Sequence, residues 1–256
     1  MDIIQVITRE LKVEKWQVEA AVKLIDEGCT IPFISRYRKE ATGSLNDEQL
    51  RTLHERLTYL RNLEDKKNQV LGSIEEQGKL TPELKKQILD AQTLVVVEDL
   101  YRPYRPKRRT RAIIAKEKGL EPLANIIMLQ MTNKSLEEEA KAFLSEEKGV
   151  ETIEDAINGA KDILAEHISD EADYRIYLRK LTMDKGTVVS AAKNPEESSV
   201  YEMYYEFEEP IKKLAGHRVL ALNRGEKEKM LTVKISAPED EAMGWLQKQV
   251  ITRDNP

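Results

Sequence analysis

The sequence predicts a mainly α fold: a multi-helix array around one long central helix, with at most one or two short strands near the C-terminus. Three observations carry this. Leu, Ile, Ala, Glu and Lys dominate the 256 residues, with 34% charged and only 5% aromatic side chains, a balance that suits helices better than a sandwich or barrel. Apolar residues recur at threes and fours along most of the chain, the period of a helix with one buried face. Helix-start signals precede these runs: Asn46 with Gln49, Ser135 with Glu138 and Thr152 with Asp155 are spaced as N-terminal caps.

Taken in order, Met1 to Lys12 reads as a helix with Ile3, Ile4, Val6, Ile7 and Leu11 on one broad face. Lys15 to Glu27 is a second, with Val18, Ala21, Val22 and Ile25 at helical spacing and Gly28 as its stop, since glycine takes the left-handed C-cap conformation cheaply. Thr30 caps a third, Ile31 to Ala41, with Pro32 in its first turn and Gly43 beyond its end. Asn46 opens the long helix, which runs to Gln77 ahead of Gly78. Its stripe of Leu50, Leu53, Leu57, Leu60, Leu63, Val70, Leu71 and Ile74 steps by threes, fours and one seven. At 1.5 Å per residue such a helix is about 48 Å long, more than a small compact core needs, so it should serve as a strut for other elements.

Thr81-Pro82 caps a helix to about Ala91. Further helices follow near Thr110 to Lys118, Leu120 to Met131, Thr152 to Ser169, from a Ser169 cap through Leu181, and Glu239 to Ile251. The strand candidates are Gly186 to Ser190 and Leu231 to Ile235, too few for an independent sheet. The expected organisation is a helical domain over 1–185, then an acidic, aromatic segment and closing helical segment over 186–256.

One stretch departs from this pattern. Between Arg102 and Ala115 stand Arg102, Arg105, Lys107, Arg108, Arg109 and Arg111 with no acid, in a chain of net charge −5. Tyr101 and Tyr104 interleave them, and Pro103 and Pro106 prevent a continuous helix. Such a cluster meets either phosphates or carboxylates of the same protein. The acidic run Glu196 to Glu209, holding six glutamates with Tyr201, Tyr204, Tyr205 and Phe207, is the expected internal mate, because arginine packs well on aromatic faces and against carboxylates.

A second basic candidate lies in the pair Lys15–Glu27 and Ile31–Ala41, whose short glycine turn is that of a helix-turn-helix over 15–41. Its second helix carries Arg36, Arg38 and Lys39, placed where a DNA reader would contact bases. Two packed helices of an α domain would look the same.

Other chemistries lack their residues. Cys29 is the sole cysteine, so no intrachain disulfide or Cys-based zinc site is possible, and a reducing cytoplasm fits. His54, His167 and His217 fall in no metal-ligand spacing. No P-loop or nucleophile-elbow string occurs, and the acids read as helix and loop residues, not as the strand-borne cluster a magnesium nuclease needs. No catalytic residue, cofactor or metal is expected. No apolar run approaches the roughly 20 residues that span a bilayer.

Three strings carry a resemblance. VEDLYRPYRPKRRTRA from Val97 with KEKGLEPLA from Lys116, IPFISRYRKEATGSLNDEQL from Ile31, and HRVLALNRGEKEKML from His217 resemble, in the expected order, the N-terminal region of the bacterial Tex family of transcription accessory proteins. The resemblance implies a helical region with a helix-turn-helix-like element. It also implies that the chain stops at Pro256 before an RNase H-like domain, helix-hairpin-helix elements and a C-terminal OB-fold RNA-binding domain. It further implies association with transcription and with nucleic acid, RNA ahead of DNA and mostly through those later domains. RNA polymerase or the wider transcription machinery, and those C-terminal domains themselves, would be its partners. The function it points to is a non-enzymatic scaffold. The alternative is a sequence-specific DNA-binding helix-turn-helix module.

Overall fold

A computed structural model describes residues 2–253; Met1, the expected first helical residue, and 254–256 lie outside the described residues. The chain divides into two compact units, Met1–Tyr104 and Arg105–Pro256. Each is predominantly helical, and the second also holds one small sheet.

The first unit is built on its longest helix. Three short helices come first: α1 (Ile3–Leu11), α2 (Lys15–Asp26) and α3 (Ile31–Tyr37). They are followed by α4 (Asp47–Glu76), α5 (Pro82–Asp90) and α6 (Leu94–Tyr101). Asn46 and Gln49 form the expected capping box at the start of α4. The 30 residues of α4 span about 45 Å. Its buried stripe is Leu50, Leu53, Leu57, Leu60, Leu63, Lys67, Val70 and Ile74, and α1, α2, α3, α5 and α6 all pack against it. The strut expectation therefore holds, with a lysine inside the stripe that the apolar spacing skipped.

Two forked ion pairs tie the first helices to α4. Arg56 donates to both oxygens of Glu10 at 2.6 and 2.7 Å, and Arg61 to both of Asp26 at 2.7 and 2.9 Å. The guanidinium hydrogen bonds hold both carboxyls below the usual carboxylate range. The segment Leu94–Leu100 is helical because Thr93 caps it, its hydroxyl accepting from the Val96 amide at 3.3 Å. Arg102–Tyr104 then forms one 3-10 turn. It is held by Gln77, whose amide donates to the Tyr104 carbonyl at 2.9 Å.

In the second unit, α7 (Arg111–Glu117), α8 (Glu121–Leu129) and α9 (Leu136–Lys141) pack on α10 (Ile153–Asp170). Ser169 does not cap the next helix as expected: α10 runs through it, and α11 (Ala172–Lys185) starts from Glu171. The α7–α10 contact is made of small residues, with Ala112, Ala115, Ala156 and Ala160 all buried. Gly159 belongs to this seam. A Cβ there would come 2.3 Å from Cδ1 of Leu120 and 3.4 Å from Cβ of Ala115, and Leu120 is fully buried. In an open helix, glycine to alanine would stabilise by about 0.5–1 kcal/mol. Here the overlap should cost about 1–3 kcal/mol. Gly159→Ala is therefore expected to lower the melting temperature by a few degrees; a rise in a thermal melt would show that the seam has room.

The remaining elements are β1 (Thr187–Ala192), β2 (Glu206–Pro210), α12 (Gly216–Lys227), β3 (Leu231–Ser236) and α13 (Glu239–Val250). The strands form an antiparallel sheet in the order β2-β1-β3, with Ser190 opposite both Phe207 and Val233. At most two strands were expected. The third, β2, lies inside the acidic run, where Phe207 and Glu209 turn to the half-buried side and Glu206 and Glu208 outward, an alternation masked by the glutamates. Val188, Tyr201, Tyr204, Leu222 and Leu231 form the core under the sheet. The mainly α expectation stands. Trp245 of α13 stacks on Tyr177 of α11 with centroids 3.8 Å apart. Gln130, just past α8, clamps the stretch after α13: its amide donates to the Val250 carbonyl at 2.7 Å and its oxygen accepts from the Thr252 amide at 2.9 Å.

Candidate nucleic-acid interface

Arg105, Lys107, Arg108 and Arg109 sit on a loop without regular structure that leads into α7, whose first residue is Arg111 and which Thr110 caps by accepting from the Ile113 amide at 3.2 Å. Lys107 anchors this loop. The Lys107 ammonium bonds Asp170 of α10, a buried carboxylate, and lies 3.4 Å from Glu166. The arginines around it point outward. Arg109 meets Glu117 at 2.9 Å while remaining 70% exposed, and Arg111 lies 3.3 Å from Asp162 while remaining 84% exposed. Arg108 is exposed with no salt bridge among the described residues, and Arg105 is exposed as well. Arg102, in the 3-10 turn that closes the first unit, is also exposed.

The internal mate is not the one expected. Asp162, Glu166 and Asp170 stand at intervals of four on α10, so they share one helix face, and it is this face that meets Lys107 and Arg111. Within Glu196 to Glu209 the contacts of the described glutamates lie elsewhere. Glu209 binds Arg218 at 2.6 Å, Glu202 accepts from the Ser198 hydroxyl, and 206–210 is a strand. The spacing of the α10 acids was legible; their pairing is tertiary.

In the first unit the second helix of the expected helix-turn-helix is shorter than read. It stops at Tyr37, not Ala41. Arg38 leaves helical geometry at φ −130, and the Thr42 hydroxyl donates to the Arg38 carbonyl at 3.2 Å. The chain then turns back on α2, where the Gln17 amide donates to the carbonyls of Gly43 at 2.9 Å and Thr42 at 3.3 Å. A Cβ on Gly43, at φ +59, would come within 2.5 Å of Trp16 and Gln17, so this approach needs glycine twice over. Arg36 is thus on the helix, and Arg38 and Lys39 lie beyond it. All three are exposed, and residues 36–41 line an open groove of about 390 Å³. Ile34 is fully buried, while Phe33 and Tyr37, four apart, keep their rings outside with centroids 5.4 Å apart. The Arg38 guanidinium lies 5.1 Å from the Phe33 ring centre.

Among the described residues, no three His, Cys, Asp or Glu side chains gather as a metal site requires. No helix is long and apolar enough to cross a membrane.

Residues 1–75 match the Tex-like protein N-terminal domain, and residues 132–254 match the Tex central region. The chain is 49% identical to YdcI of Bacillus subtilis (strain 168) over 250 residues, covering 96% of this chain and 35% of that protein. It is 40% identical to the transcriptional accessory protein Tex of Neisseria gonorrhoeae over 243 residues, covering 94% of this chain and 32% of that one. The human S1 RNA-binding domain-containing protein 1 is 30% identical over 256 residues, covering 95% of this chain and 25% of its own. The chain thus spans about a third or less of the length of these relatives. With residues 1–75 and 132–254 matched in sequence order by two Tex regions, the chain belongs to the Tex family.

Proposed function

We propose that this chain is a non-enzymatic scaffold of a transcription accessory protein, and that it contacts nucleic acid, RNA ahead of DNA, through the loop 105–111. The observation that carries the reading is the division of labour in that loop. Lys107 is spent on α10, whereas Arg108, Arg109 and Arg111 are left largely in water. An anchored loop presenting several guanidinium groups suits phosphates, which arginine takes in a planar fork. The surrounding chain is acidic, with a net charge of −5, so binding is local to this loop. The relatives' names, Tex and S1 RNA-binding domain-containing protein 1, support the same direction.

Fluorescence anisotropy with labelled single-stranded RNA and duplex DNA at two salt concentrations tests it. Reversing Arg108 and Arg109 together to glutamate is expected to weaken binding alike across sequences, since phosphate contacts carry no base information. On a single strand the salt slope should fall by about 1.4 for two lost contacts. Unchanged binding would remove the loop from the interface. Unchanged binding with a large drop in melting temperature would make these arginines part of the scaffold.

A further inference from the structure

We propose that α3 carries a second contact for nucleic acid: a stacking platform for the bases of a single strand, formed by Tyr37 and Phe33 with Arg36, Arg38 and Lys39 as its cationic rim. The inference rests on the preceding reading that the chain meets nucleic acid, and it adds a site in the other unit with a different chemistry.

The geometry begins with helix period. Residues 33 and 37 are one turn apart, so their rings share a face, while Ile34 points into the core and holds the helix down. Tyr37 is 67% exposed and Phe33 37% exposed. An isolated exposed aromatic needs no explanation. Here two rings lie 5.4 Å apart, tilted by 44°, and the Arg38 guanidinium lies over the Phe33 ring 5.1 Å from its centre, which leaves Tyr37 as the more open ring with a cation beside it. Residues 36–40 contain three cations and one acid, Glu40, and Tyr37 itself lines the groove along 36–41.

Charge and shape together select the occupant. The rim asks for an anion, and the rings ask for a flat π-face beside it. A nucleotide offers both within one residue, and aromatic side chains stack every base with little sequence preference. In a duplex the base faces are covered by their neighbours, so a ring could reach them only after unstacking. The platform therefore favours single strands. This departs from the expected use of Arg36, Arg38 and Lys39 on a recognition helix: with α3 ending at Tyr37, two of the three flank the rings instead of extending along a groove.

The test uses the whole chain, a fluorescein-labelled oligouridine of about a dozen nucleotides, an abasic strand of equal length and a duplex RNA. Tyr37→Ala is expected to weaken oligouridine binding about tenfold, in the range of one base on one ring, with the salt slope unchanged. Tyr37→Phe should restore it, and Tyr37→Ala should leave the abasic strand and the duplex as they were. Equal oligouridine binding by wild type and Tyr37→Ala, while the Arg108 and Arg109 reversal still weakens it, would overturn the platform and leave the loop proposal standing. An equal loss on the abasic strand or duplex would overturn stacking. No binding of any probe by the wild type at low salt would overturn both proposals.

Discussion

Leu60→Ala is expected to destabilise the Met1–Tyr104 unit by about 3–5 kcal/mol, the upper part of the range for truncating a fully buried leucine. Leu60 lies near the middle of α4 and is 1% exposed. The cost has two parts: the lost transfer of the removed carbons from water, and the cavity that remains where neighbours cannot close in. The second part should be large here. Five helices pack against the one strut, and two of them are fixed to it by the forked pairs Glu10–Arg56 and Asp26–Arg61. A small domain is stable by only about 5–15 kcal/mol, so the variant should lose a large part of that margin. The consequence should also be shared. Amides of α1, α2, α3, α5 and α6 should lose hydrogen-exchange protection together, because α4 is their common partner. A loss below about 1 kcal/mol in urea unfolding, or exchange changes confined to the turn around residue 60, would show that α4 is not the axis of a cooperative unit.

The strut was legible because local and global signals agree in it. Asn46 and Gln49 start the helix by backbone chemistry alone, and the leucine stripe names the buried face. Where tertiary contacts decide, the reading failed in identifiable ways. Gly43 reads as the stop of the third helix, yet the helix ends six residues earlier. Gln17, from the preceding helix, draws the carbonyls of Thr42 and Gly43 towards α2, and nothing local announces that. Strand β2 looks like a charged loop because four of its five residues are glutamate or proline; it is extended because β1 supplies a ladder to pair with. The basic loop was found as a cluster, but its division into an anchor, Lys107, and outward arginines depends on which residue reaches α10. The aromatic pair of α3 was likewise present as an i, i+4 spacing; its exposure depends on Ile34 taking the core position.

The skipped position in the leucine stripe yields the second large effect. The seven-residue gap between Leu63 and Val70 is filled by Lys67, which is 1% exposed. Its ammonium donates to the Leu89 carbonyl at 2.7 Å and lies 3.2 Å from a Glu64 carboxylate oxygen. Leu89 is in the last turn of α5, where carbonyls have no partner within their own helix. Lys67 therefore does two things: its methylene stem fills a core position, and its head caps α5 with a positive charge where the helix dipole favours one. Lys67→Ala removes both and should cost about 3 kcal/mol, combining a cavity with an unpaired carbonyl. Lys67→Met keeps the stem volume but leaves the Leu89 carbonyl uncapped and the partly exposed Glu64 carboxylate without this ammonium, so it should cost about 1–2 kcal/mol, less than alanine. Urea midpoints of the two variants separate the contributions. If methionine is as damaging as alanine, the ammonium bond to α5 holds the unit together and the stem is incidental. If methionine matches the wild type, the lysine behaves energetically as a core residue whose head happens to find a helix end.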